Sequence, residues 1–407
     1  MDNFEIRFSK SLLVILLLPV LMACNNDKVE PQSNDKVEFR IDTVFMNAHW
    51  STAISDLPSS EPLFFSEFIN LYENQMLVAH SNNRNSYVYS INTIDGSVKW
   101  VQKFYIFGVH QVELTNNRLL LLSSNSYILV NPDNGELVRE VAFSDIPTIE
   151  GICFGNRYID GKLILSCRHN GNAVGITYDL QNEETIFLIE TDIPLKIGYK
   201  KKIPMQGDWA YTLIQDQEDV WKLFSFNTST GDNRIVDVDP EYNHKFSRKV
   251  QFRNIEMDDY HLYINYGDQS ELVALDFETG KAVWDLPPEW VKTVDGSLFG
   301  IRFILKNLDP LSGTEIWSNG AGWSGIFPYG MFPTNNSQQL VNFNGSLNIT
   351  DRATGDYVRL FNANQTALDK GLVKGIFWDR NNSYFLKYGT STNGTYTVMS
   401  LDAPWVE

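Results

Sequence analysis

Cysteine is scarce in this chain. The 407 residues hold three, Cys24, Cys153 and Cys167, so with Cys24 set aside at most one disulfide can form. Histidine is nearly as rare. The six (His49, His80, His110, His169, His244 and His261) are scattered, and no two stand at metal-ligand spacing. Positive charge is short as well: 33 Lys and Arg face 50 Asp and Glu, a net charge of −17. Such a surface repels a phosphate backbone, which excludes nucleic acid as a partner. The chain also lacks a nucleophile elbow, a phosphate loop and a His-Glu-x-x-His pair. After residue 24 no stretch has the period of a long amphipathic helix. Aromatics are plentiful, at 13% of the residues, and point towards sheet.

The one long apolar run lies at the start. Arg7 and Lys10 precede Ser11 to Ala23, which ends at Cys24. The run is too short to span a bilayer and suits the hydrophobic region of a signal peptide. Leu21-Met22-Ala23-Cys24 resembles the bacterial lipobox. That resemblance implies cleavage before Cys24, diacylglycerol on its sulfur and acylation of the new amino terminus with chains such as palmitate. Several acyl chains, at roughly 0.8 kcal/mol per buried CH₂, would hold the protein firmly on a membrane. The expected organisation is a signal peptide over 1–23, a lipidated flexible tether over 24–36 and a folded region over 37–407.

The folded region repeats itself. Ala274-Leu-Asp276-Phe-Glu-Thr-Gly280-Lys281-Ala-Val-Trp284 is the fullest copy. Asn92, Gly96 and Trp100 align with it, as do Asp309, Gly313 and Trp317. Weaker copies centre on Asn131 and Gly135, Asn227 and Gly231, and Asp351 and Gly355, and a degenerate one has Asp179 with Glu183 in place of glycine. Successive glycine positions are 39, 48, 48, 49, 33 and 42 residues apart, a spacing that marks propeller blades. The Asp or Asn caps a turn, the Gly supplies positive φ, and the Trp is large enough to seal one blade against the next. Short apolar strands fill each interval. Between Gly96 and Gly135, for example, 109–114, 118–123 and 127–130 precede a fourth over 135–142, and four antiparallel strands make a blade. Residues 37–45 alternate like a strand without a blade of their own. They are expected to pair with 396–401 and close an all-β propeller of eight blades, or seven if the Asp179 copy is not a full unit.

The pattern Ala-x-Asp-x-x-x-Gly-Lys-x-x-Trp resembles the tryptophan-docking motif of the PQQ-like β-propeller family. The Trp position is held elsewhere by Arg139, Phe187, Ile235 and Arg359, where packing must differ. Two branches of that family bear on function. Quinoprotein dehydrogenases bind pyrroloquinoline quinone and Ca²⁺ and often carry a vicinal cysteine pair, which is missing here. Lipid-anchored, non-catalytic propellers of the BamB type serve the outer-membrane β-barrel assembly machinery, and a lipobox, tether and repeat together resemble this branch more closely. The resemblance implies a scaffold or protein-binding module without a cofactor, on the outer membrane facing the periplasm or the exterior. A quinoprotein-like oxidoreductase and a cell-surface glycan-binding protein are the alternatives.

Further features complete the reading. Cys153 and Cys167 flank a hairpin turning at Asp160-Gly161. A two-residue turn sets Phe154 opposite Cys167, so the pair is either a disulfide or two small buried hydrophobes. Lys200-Lys201-Lys202 reads as a solvated strand end. The segment 320–333 is rich in Gly, Pro and aromatics; its Trp323, Phe327, Tyr329 and Phe332 either form a binding platform or pack between blades.

Overall fold

A computed structural model describes residues 43–402 apart from short segments, the longest being 55–65, 320–330, 364–370 and 390–395. The chain separates into two units, Met1–Arg40 and Ile41–Glu407. The first lies wholly outside the described residues, and so do Cys24 and the tether. Trp323, Phe327 and Tyr329 also fall outside them, whereas Phe332 lies on a short strand, Met331–Pro333.

The second unit is nearly all β, built from antiparallel four-stranded sheets in meander order. One contains Ser66–Tyr72, Gln75–Ser81, Ser86–Asn92 and Val98–Phe104. The next contains Gln111–Thr115, Arg118–Leu122, Ser126–Val130 and Leu137–Ala142. The same arrangement recurs over 254–286 and 290–319. Over 153–237 two such sets share one strand, Glu184–Gly198. Its first part pairs with Asn172–Asp179, and its last residues pair with Trp209–Asp216.

The side-chain pattern explains why the sheets stack. In Arg118–Leu122 every leucine is buried, and alternate residues face opposite ways. Leu119 and Leu121 pack with Leu77 and Val88 of the preceding sheet. Leu120 and Leu122 pack with Leu163, Leu165 and Val174 of the following one. A strand covered on both faces therefore reads as a continuous apolar run. A fourth strand such as Ala282–Leu286 alternates between exposed and half-buried positions, because one of its faces meets water.

The 371–402 sheet receives its fourth strand from the other end of the chain. Ala48–Ile54 lies antiparallel to Tyr396–Asp402, with Trp50 opposite Ser400 and Ile54 opposite Tyr396. The strand expected there was 37–45. Instead Thr43–Met46 lies parallel to Tyr357–Ala363 on the neighbouring sheet, and residues 37–42 lie outside the described ones. The register is set by Trp50, which occupies in this sheet the place of Trp100 opposite Ser90 and Trp284 opposite Ala274.

Cys153 and Cys167 form a disulfide. A bulge makes this possible. Gly155 pairs with Ser166 as the hairpin predicts, but the register then shifts so that Cys153, not Phe154, faces Cys167. The two residues part ways in packing: Cys153 joins the core between the 111–142 and 153–198 strands, and Phe154 packs with Ile164, Ile189 and Phe224.

An eight-residue helix, Pro240–Ser247, interrupts the strands. Asp239 caps it by accepting the Glu241 N–H at 3.1 Å, and Pro240 follows at the first helical position. Phe246 of the helix packs edge-on against Trp221, Phe252 and Tyr266, with ring centroids 5.1–6.5 Å apart.

Candidate functional site

The repeated residues meet at stations between neighbouring sheets. At each, an Asp or Asn ends the third strand and folds the turn back on itself. Asp276 Oδ1 accepts the Glu278 and Thr279 N–H groups at 3.0 and 2.7 Å, and the Gly280 N–H donates to the Asp276 carbonyl at 2.8 Å. Partial burial would raise the Asp276 carboxyl, but the Thr279 and Glu278 hydrogen bonds outweigh it and hold the group below the ordinary value. Asp309 and Asp351 build the same turn.

The tryptophan of one sheet then covers the turn of the next. Trp284 donates its indole N–H to the Pro310 carbonyl at 2.9 Å, and Trp317 donates to the Arg352 carbonyl at 2.8 Å. Trp100 reaches the Pro132 carbonyl at 3.0 Å. The acceptor is always the residue after the turn Asp or Asn. The six-membered ring lies flat on the turn glycine: a Cβ added to Gly135 would stand 2.6 Å from the Trp100 ring, and one on Gly313 2.7 Å from Trp284. Only glycine leaves room for that contact and also takes the φ of +75° and +69° found there.

Trp50 is a further station tryptophan, unrecognised in the sequence. Its indole donates to the Thr93 carbonyl at 3.0 Å and its ring covers Gly96. The signal was hidden because the copy is split: the turn residue on its own sheet is Asp402, at the other end of the chain.

Where tryptophan is missing the stations differ. Arg139 forms an ion pair with Glu183, the residue standing where glycine is expected. Glu183 takes φ of +60°, and Asp179 still accepts the Gln181 and Asn182 N–H groups at 2.7 and 3.0 Å, bonds led by Asn182 that hold its carboxyl below the ordinary range. Phe187 rests beside Gly231. Ile235 has no such partner at Gly280, which abuts the Asp237 carbonyl and Val236 instead.

A second group of residues lies on the first strands, which pack strand against strand from one sheet to the next. Glu113 stands on Gln111–Thr115, Arg157 on Cys153–Ile159, Glu256 on Asn254–Met257 and Lys292 on Trp290–Val294. Lys202 joins them through a bridge between its backbone and that of Asn156. Lys202, expected at a solvated strand end, is exposed, while Lys200 and Lys201 lie outside the described residues. Burial pushes the Lys292 ammonium down, opposed by Glu256. Burial also pushes the Glu256 carboxyl up, opposed by a hydrogen bond from Asn254 and by the Lys292 and Lys202 charges.

Among the described residues no three His, Cys, Asp or Glu side chains converge as metal ligands. The cysteines are buried on adjacent strands rather than vicinal.

On the outside, a groove of about 510 Å³ runs between Gln102–Ile106 and Gly135–Glu140. Tyr105 on its rim is 82% exposed and Leu137 50%. The Lys103 ammonium sits 5.1 Å from the Tyr105 ring centre.

Stacked four-stranded meanders with a docked residue between them define the class: this is a β-propeller protein. Comparison with solved structures agrees. BamB from Moraxella catarrhalis is 15% identical, with a TM-score of 0.50 over 87% of this chain and 99% of that one. A europium-containing methanol dehydrogenase is 9% identical, with a TM-score of 0.54 over 88% and 93%. The computationally designed Ika8 protein is 12% identical, with a TM-score of 0.52 over 81% and 94%. At such identities the likeness is one of fold. No protein-family profile matches the chain, and no curated protein sequence is similar to it.

Proposed function

We propose that this chain is a lipid-anchored propeller of the cell envelope that binds other envelope proteins and performs no chemistry of its own. The observation that carries the reading is the engagement of the repeat. The Asp, Gly and Trp residues that recur in the repeat hold turns and neighbouring sheets, with their polar atoms facing backbone rather than a cavity. Counting the joined 153–237 strands as two units gives eight blades, and the Asp179–Glu183 turn sits inside a complete four-stranded set. The pairing of Ala48–Ile54 with Tyr396–Asp402, which covers the edge of the last strand, supports closure of the ring by the two ends of the chain. The outer strands carry exposed aliphatics, among them Val98, Val101, Leu137 and Ile316, and the groove beside Tyr105 offers a protein partner an aromatic rim. The lipobox supplies the anchor through Cys24, and the likeness to BamB-type lipoproteins points to outer-membrane protein assembly.

The test is affinity purification of the native lipoprotein from membranes. Co-purification of envelope proteins, lost in a Tyr105→Ala/Leu137→Ser variant that still folds, is the expected result. Cys24→Ser should abolish labelling by palmitate, because serine cannot form the thioether. Saturable binding of pyrroloquinoline quinone with Ca²⁺, together with dye reduction by an alcohol, would replace the scaffold with the oxidoreductase.

A further inference from the structure

We infer that the groove between Gln102–Ile106 and Gly135–Glu140 takes a short extended segment of the partner protein, one in which a lysine or arginine stands beside an apolar residue. This rests on the protein-binding reading above and adds the chemistry of the bound segment.

The register of the strands builds the groove. Val98–Phe104 and Leu137–Ala142 are the outermost strands of two neighbouring sheets. Glu140 stands opposite Ile128 and Arg139 opposite Leu129, so the Glu140 and Arg139 side chains leave the sheet by opposite faces. Arg139 turns to Glu183 of the following strands, whereas Glu140 and Ile128 line the groove. Gln102 packs at the turn: a Cβ added to Gly135 would stand 2.7 Å from its Cγ. Ile106 and Ile128 are buried and form the floor, and Tyr105 and Leu137 form the open apolar rim. A space of about 510 Å³ suits a ligand of a few residues and not a folded surface.

Charge selects the occupant. Glu136 and Glu140 are exposed on one wall, and among the described residues no side chain pairs with either carboxylate. The lysine of the other wall is engaged, its ammonium 5.6 Å from the Tyr87 ring centre and 5.1 Å from that of Tyr105. An incoming cation therefore meets two carboxylates, on a chain whose net charge of −17 attracts it. Tyr105 and Leu137 receive the apolar neighbour of that cation. The main chain favours an extended shape. Leu137–Ala142 ends its sheet, and among the described residues no strand pairs with its outer edge. A segment laid along that edge gains main-chain hydrogen bonds while alternate side chains reach the groove. A neutral glycan can stack on Tyr105 but gains nothing from the charge.

Selection of a random peptide display library on the immobilised mature protein is the test. Enriched peptides should carry Lys or Arg next to an aliphatic or aromatic residue, and a synthetic copy should bind less tightly as salt is raised. Tyr105→Ala should weaken that peptide at least about tenfold, the loss of one aromatic contact. Glu136→Lys/Glu140→Lys, with both changes at exposed positions, should turn the selection towards Asp and Glu. Tyr260→Ala removes an exposed aromatic elsewhere and should change nothing. No enrichment, enrichment of acidic or charge-indifferent peptides, or binding unmoved by Tyr105→Ala would overturn the assignment. Capture of xylan or mannan oligosaccharides instead, lost in Tyr105→Ala, would overturn it in favour of glycan. If no basic peptide is selected while envelope proteins still co-purify and are lost in the Tyr105→Ala/Leu137→Ser variant, the peptide assignment falls and the scaffold stands. If basic peptides are selected but no envelope protein co-purifies, the scaffold falls and the groove chemistry stands.

Discussion

Two arcs of the propeller hold neighbouring sheets together by different means. At Trp50, Trp100, Trp284 and Trp317 an indole lies on a turn glycine and donates to the carbonyl beside it. From 139 to 280 no station has a tryptophan: an ion pair, a phenylalanine and a bare turn stand in its place. That same stretch carries further links, some within a sheet and some between sheets. The disulfide joins Cys153 to Cys167, the continuous strand Glu184–Gly198 passes from one set of strands into the next, and the helix Pro240–Ser247 adds an aromatic cluster. The lesson is that the geometry of the turn is retained while the chemistry that covers it varies. Asp179 makes its turn as Asp276 does, although Glu183 must adopt a conformation glycine would take at lower cost.

The comparison can be broken from either side. The largest effect is expected at Trp317, only 9% exposed. Trp317→Ala should cost about 3–5 kcal/mol in denaturant unfolding, as truncation of a buried aromatic does. In the other arc, replacing Cys153 and Cys167 by serine opens a short loop, their separation being 14 residues. The loss should be about 3 kcal/mol and should be reproduced by reducing the native protein. Gly135→Ala forces a Cβ against Trp100 in a left-handed backbone conformation. A loss of about 2 kcal/mol is expected from strain and overpacking together. The smallest effect belongs to Arg139→Ala. Its partner is as exposed as it is, so the pair should contribute less than about 1 kcal/mol, and less still at high salt. The double exchange Arg139→Trp with Glu183→Gly should be more stable than either single change, because it rebuilds the station of the other arc.

Much of the fold was legible in the sequence because the turn imposes residue types. A carboxylate or amide must cap it, a glycine must admit the ring, and the strands His261–Tyr266 and Tyr396–Asp402 fall where their apolar runs place them. Trp50 was illegible because the rest of its motif lies some 350 residues away, at Asp402, and only closing the last sheet brings them together. The pairing of Cys153 was ambiguous because a bulge is decided by packing of Phe154 in another core, not by the hairpin turn. The inner cluster was missed for a different reason. Glu113, Arg157, Lys202, Glu256 and Lys292 are 44, 45, 54 and 36 residues apart. That spacing follows the repeat, so charged residues recurring on first strands were the available signal.

One docking geometry joins sheets whether the chain is continuous or not. Equilibrium denaturation of Trp50→Ala beside Trp100→Ala, in the otherwise intact protein, measures this. Both indoles cover a turn glycine and donate at 3.0 Å, so the two losses should agree to within about 1 kcal/mol, each within the range for removing a large aromatic. An unfolding midpoint unchanged by Trp50→Ala, alongside a clear loss for Trp100→Ala, would contradict the account.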